Sequence, residues 1–303
     1  MNQQNLIGSI KILALLVCTS GAFYLGLSLF GRSRQIQEFK QANQLLKERQ
    51  YNSAIAIYDR LLAENIAAKD SISIYRGYAF KGLNQYEDML QSCTQATSFA
   101  AQSGLAWNCQ GEALYYLQQY QDALKAFERA ASIEPSESTF WLNKARVLSD
   151  LERYDLAIEA SDRAIELSDR SNKENKTIAW NLKGQNLLKI AEYRKSIVAF
   201  EKSLSYSADS ISPRQGKGIA LYELGKYDLA IAIFQEILQS DRLTKSQQAT
   251  VLLYLGVSLC QIEEIAAAEK MLQKVLSLTI DPASIAIATK KCGIRQLLDD
   301  KSF

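Results

Sequence analysis

From residue 42 to residue 256 one pattern of apolar positions recurs seven times, at intervals of 34 to 39 residues. Each copy is anchored on a small residue: Ala42, Gly77, Gly111, Ala145, Gly184, Gly218 and Gly256. Three positions beyond these origins stand Leu45, Phe80, Leu114, Leu148, Leu187, Leu221 and Leu259, which continue one helical stripe. A second stripe opens nine positions beyond, at Tyr51, Tyr86, Tyr120, Tyr154, Tyr193 and Tyr227, with Ile265 in the last copy. It runs through small residues at Ala54, Ala123, Ala157, Ser196, Ala230 and Ala268 to Tyr58, Phe127, Phe200, Phe234 and Leu272. Each copy therefore predicts two amphipathic helices joined by a short turn, with small residues letting the two backbones approach and larger ones filling the space beside them.

The third copy, Trp107 to Pro135, is the most complete, and all three tryptophans (Trp107, Trp141, Trp180) fall four positions before an origin. This register resembles the tetratricopeptide repeat over roughly residues 35–282. The resemblance implies an all-α protein, a right-handed α-solenoid of about seven helical hairpins whose first helices line a concave groove that holds a peptide or partner helix. Met89 and Cys93 in the second repeat and Ser161 in the fourth depart from the family pattern, so these repeats are expected to pack less tightly. The two long intervals are expected to lengthen polar loops at 169–176 and 239–248. Pro135, Pro213 and Pro282 read as falling between units, and residues 283–303 as a helix and tail capping the last repeat.

Residues three before, one after and four after each origin share the face that lines the implied groove. They are Asn108, Glu112 and Tyr115 in the third repeat, Leu142, Arg146 and Ser149 in the fourth, and Asn181, Gln185 and Leu188 in the fifth, continued by Gln215 and Tyr222. Asn143 stands where some relatives place an asparagine that holds a peptide backbone. A carboxamide donates and accepts at once, so a row of them grips an extended chain without reading its side chains. Asn43 matches one position of the clamp that relatives use for acidic chaperone tails, but Phe39 and Ile74 occupy others, so such a tail is not the expected partner. At the far end the face turns apolar, with Leu253, Val257 and Cys260.

Before the repeats, after an 11-residue tail, residues 12–30 run for nineteen positions without a charge, the length of a bilayer-spanning helix. A transmembrane anchor is the expected reading; a cleaved signal peptide is the rival, since Lys11 precedes the run, but the run is longer than a usual signal core and is followed by Gly31, Arg32 and Arg34 rather than a small-x-small cleavage site. Arg32, Arg34, Lys40, Lys47 and Arg49 follow the run against Lys11 before it, which leaves the repeats in the cytoplasm by the positive-inside rule. Ala14, Cys18, Ala22 and Gly26 form a small-residue face suited to packing on another membrane helix.

Composition narrows the chemistry. The net charge of +2, with basic and acidic residues interspersed as on a solvated surface, gives no footprint for nucleic acid. The chain has no histidine, no glycine-rich phosphate loop (Gly216 and Gly218 sit inside a helical repeat) and no metal-ligand spacing, so no catalytic residue, cofactor, metal or small-molecule substrate is expected. Its five cysteines, Cys18, Cys93, Cys109, Cys260 and Cys292, are odd in number and scattered, and fit a reducing compartment or buried apolar roles better than a disulfide framework. The expected protein is a non-enzymatic, membrane-anchored scaffold for protein–protein interaction in the assembly of a membrane complex. The rival is a secreted or periplasmic repeat protein with a cleaved leader, acting in envelope or polysaccharide assembly.

Overall fold

The computed structural model describes residues 34–64, 68–168 and 172–278, together with Cys292. The described secondary structure is helical throughout. The chain divides after Ile133 into two compact units. The first holds α1 (34–47), α2 (Tyr51–Ala63), α3 (Lys69–Gly82), α4 (Tyr86–Phe99), α5 (Gly104–Tyr116) and α6 (Tyr120–Ile133). The second holds α7 (Ser138–Asp150), α8 (Tyr154–Leu167), α9 (Lys173–Lys189), α10 (Tyr193–Tyr206), α11 (Ile211–Glu223), α12 (Tyr227–Ile237), α13 (Lys245–Gln261) and α14 (Ile265–Ser277). Odd-numbered helices carry the origins and are the first helix of each hairpin; even-numbered helices begin at the recurring tyrosine, or at Ile265 in α14. Within each unit every helix packs on the next, and successive first helices also touch: α3 on α5, and α7 on α9 on α11 on α13.

The turn inside each hairpin is the same seven times over, and its hydrogen bonds show why. The residue eight beyond the origin donates its backbone N–H to the carbonyl three beyond it, as in Gln119 to Leu114 (2.9 Å), Glu192 to Leu187 (2.9 Å) and Lys226 to Leu221 (2.9 Å). That closure satisfies carbonyls left over at the helix end and requires a left-handed residue in between. The residues there are Arg49, Asn84, Gln118, Glu152, Ala191, Gly225 and Glu263, all with φ between 58° and 72°. Only Gly225 suits that conformation without a Cβ clash.

Packing between the paired helices depends on the missing side chains at the origins. A Cβ on Gly111 or Gly184 would stand 2.6 Å from the ring of Phe127 or Phe200, and one on Gly218 2.6 Å from Phe234. Those rings are almost wholly buried, as are Tyr58, Leu61 and Leu272. Where the origin is Ala145, the ring position holds Ser161 instead, buried with its hydroxyl donating to the Ala157 carbonyl at 2.7 Å. The fourth repeat thus trades a large residue for a small one exactly opposite the extra methyl, and leaves no orphaned hydroxyl.

Charge also recurs in register. Arg76, Lys183 and Lys217, each one before an origin, pair with Asp59, Asp162 and Glu201, each seventeen beyond the preceding origin, at 2.8, 2.5 and 2.8 Å. In the third repeat Gln110 donates to Thr94 at the same two positions. The interspersed charges are therefore partly a set of clasps from a second helix to the next first helix, each contributing about 0.5 kcal/mol at such exposed sites.

Three expectations are corrected. The extra residues of the long intervals lengthen helices rather than only loops: α9 and α13 each have 17 residues, beginning at Lys173 and Lys245, where α5, α7 and α11 have 13. Pro213 lies inside the first turn of α11, where its missing N–H has no intrahelical acceptor to lose. The cysteines pair: Cys93 is bonded to Cys109 and Cys260 to Cys292, with Cα–Cα separations of 5.5 and 5.4 Å. The expected membrane span at 12–30 lies outside the described residues, as do 283–303 apart from Cys292; among the described residues no helix is long and apolar enough to cross a membrane.

Candidate partner-binding surface

The face three before, one after and four after each origin is where successive first helices meet side chain to side chain. In the first unit this seam is aromatic. The Phe39 ring of α1 stands edge-on to Tyr75 of α3 at 5.5 Å and to Tyr58 of α2 at 6.2 Å, and Tyr75 stands edge-on to Tyr78 at 6.4 Å. Lys81 of α3 reaches Glu112 of α5 as an ion pair, and its ammonium lies 5.1 Å from the Tyr116 ring centre and 6.0 Å from that of Tyr78. Asn108, buried, donates to the other Glu112 oxygen at 2.9 Å. Tyr115 continues the row, packed against Tyr116 and Tyr120.

These contacts shift three of the groups. Burial first, then the neighbouring Glu112 carboxylate, raise the Tyr78 phenol well above its ordinary value, while a hydrogen bond with Asn108 opposes them. Tyr58 is raised likewise by burial and by Tyr75. Burial alone would lower the Lys81 ammonium; the Glu112 charge and its hydrogen bond outweigh it, and Lys81 ends above its ordinary value. The half-buried tyrosines beside a paired lysine and glutamate offer flat aromatic faces with one polar notch, a surface suited to side chains of another polypeptide.

In the second unit the seam is first amide-rich, then apolar. Ser212, in the first turn of α11, receives hydrogen bonds from Asn181 at 3.2 Å and Gln185 at 3.3 Å, both from α9. Gln215 and Arg146 are half-buried along the same face, and Asn143 is buried on α7. Tyr222 of α11 stands edge-on to Tyr254 of α13 at 5.7 Å, and burial followed by the Glu223 charge raises both phenols. Beyond them Val257 and Cys260 are buried, with Leu253 packed against the same core.

The sequence-derived residues thus fall into two groups. Glu112, Tyr115, Arg146, Asn181, Gln185, Gln215 and Tyr222 keep part of their surface on the seam. Asn108 and Asn143 do not: both are buried behind it. Tyr75, Tyr78 and Lys81 belong to the surface and were missed, although Tyr78 and Lys81 stand one and four beyond the second origin, where the same spacing rule applies.

Alongside the recurrent left-handed turn and the small origins packed under buried residues at intervals of 34 to 39, the sequence profile described as tetratricopeptide repeat matches residues 110–172 and 216–285. Over those residues the chain carries tetratricopeptide repeats. The Pseudomonas aeruginosa PilF structure superposes with a TM-score of 0.62 at 17% identity, covering 77% of this chain and 98% of that one. A tetratricopeptide repeat protein from Parabacteroides merdae gives 0.59 at 15% identity over 85% and 98%. YrrB, a repeat protein with an unusual peptide-binding site, gives 0.51 at 18% over 66% and 99%. At these identities the likeness is one of fold. No curated protein matches the sequence.

Proposed function

We propose that this protein is a non-enzymatic scaffold that holds a protein or peptide partner along the seam of its first helices, in the assembly of a complex at a membrane. The observation that carries the reading is the seam in each unit: half-buried tyrosines in α3 and α5 of the first unit, and carboxamides in α9 and α11 of the second, each at the spacing that the repeat imposes. That surface combines flat apolar area with groups that donate and accept, the composition of a polypeptide-binding face. YrrB, of similar fold, has a peptide-binding site. The uncharged run at 12–30 supplies the attachment to a bilayer.

Crosslinking in intact cells followed by affinity capture tests it, with a variant carrying Gln185→Ala, Gln215→Ala and Tyr222→Ala that keeps the helical circular dichroism of the parent. Loss of a captured partner supports the seam; the same partner at the same yield contradicts it. Alkaline extraction of membranes tests the attachment, which predicts that the protein stays in the pellet.

A further inference from the structure

The two disulfides are the one feature that the scaffold reading leaves unused. We propose that the repeats fold and act in an oxidising compartment, where Cys93 with Cys109 and Cys260 with Cys292 are oxidised by a disulfide donor. The inference stands apart from the scaffold reading, because it concerns where the chain folds rather than what its seam holds.

The argument begins with the register. Position sixteen beyond the origin holds a buried ring in the first, third, fifth and sixth repeats, namely Tyr58, Phe127, Phe200 and Phe234. In the second repeat it holds Cys93. That ring also meets the residue two before the next origin: a Cβ on Gly216 would collide with Phe200, and Gly216 is that residue for the sixth repeat. The equivalent residue facing Cys93 is Cys109, sixteen positions on. Both are fully buried, and Gly77 lies directly beneath them, where a Cβ would stand 2.9 Å from one sulfur and 3.2 Å from the other. The bonded sulfurs therefore occupy the slot that a ring fills elsewhere, and they staple α4 to α5 where the ring only packs. The second bridge repeats the theme on the last repeat: Cys260 belongs to the core of the second unit and Cys292 packs against that core. Among the described residues each cysteine has a partner.

Two separate cysteine pairings, one of them fully buried, follow from oxidising conditions and are rare where glutathione and thioredoxin keep thiols reduced. Each bridge forms by exchange: two thiols give up two protons and two electrons, an S–S bond forms, and the disulfide of the donor is cleaved to two thiols. Because Cys93 and Cys109 are inaccessible once α4 and α5 have packed, the exchange takes place before that packing is complete. The charges flanking 12–30 argue for the opposite side of the membrane; they bias orientation, whereas a bridge is a covalent record of the compartment. The proposal places the repeats outside the reducing cytosol whether 12–30 remains as an anchor or is removed as a leader.

Differential alkylation tests it. Cells that make the protein are quenched in acid and free thiols are blocked with N-ethylmaleimide; disulfides are then reduced, the released thiols are labelled with a second reagent, and the peptides are weighed. Cys93 and Cys109 carrying the second label in unstressed cells is the expected result. Either residue carrying N-ethylmaleimide in most molecules overturns the proposal, even if oxidant treatment later converts it. The role of the bridge in packing is read on the purified oxidised chain, where reduction of both bridges lowers the thermal midpoint by about 10 °C. An unchanged midpoint with all four thiols released contradicts that role.

Discussion

At the scale of single residues, the account turns on what fits beneath a ring and what fits in a left-handed turn. Gly111→Ala forces a Cβ to 2.6 Å from Phe127, so the Phe127 ring must shift, and a loss of about 1–3 kcal/mol in urea denaturation is expected. Ala191→Gly acts in the opposite sense. At φ 61° the alanine Cβ crowds its own backbone in an exposed turn, and the glycine raises stability by about 1 kcal/mol. Titration supplies a third outcome. Tyr58, Tyr78 and Lys81 are all raised in the folded state, so the stability they confer is complete below their unfolded values and is lost as pH climbs through the folded ones. Unfolding midpoints in urea should therefore hold steady at neutral pH and fall above about pH 10, less steeply in Tyr78→Phe.

At the scale of helices and hairpins, the stripes at positions zero, three, twelve and sixteen gave every paired helix its place, because burial of those positions is what repeats. The sequence was less legible where a different interaction shares the same positions. Thr244 and Gln247 form a capping box, with the threonine hydroxyl accepting from the Gln247 N–H at 3.2 Å and the Gln247 side chain from the Thr244 N–H at 3.0 Å. Read as loop, that segment instead starts a helix one turn longer than those of the unstretched repeats. Thr244→Ala should cost about 1 kcal/mol and raise amide exchange in the first turn of α13. The cysteines were misread for a related reason: their spacing means nothing against metal or redox templates, and becomes a contact only when Cys93 and Cys109 are placed sixteen beyond one origin and two before the next. The clasps, such as Lys183 with Asp162, hide in an even mixture of charges until the same register is applied. Burial of Asn108 could not be read from spacing, since neighbouring repeats decide how much of a shared face stays open; Asn143 stands two before its origin, where Cys109 and Gly216 are also buried.

For the molecule as a whole, two units built from one hairpin give two kinds of seam: aromatic with a lysine–glutamate notch in the first, carboxamide and then apolar in the second. A partner engaging the second seam must touch Tyr222, which lies half-buried between α11 and α13, and has no cause to touch Val198, exposed on α10. A photo-crosslinking amino acid placed at each of these positions in turn, in the full chain in intact cells, tests that directly. The account predicts a discrete adduct from position 222 and none from position 198; the same adduct from position 198, with position 222 silent, would contradict it.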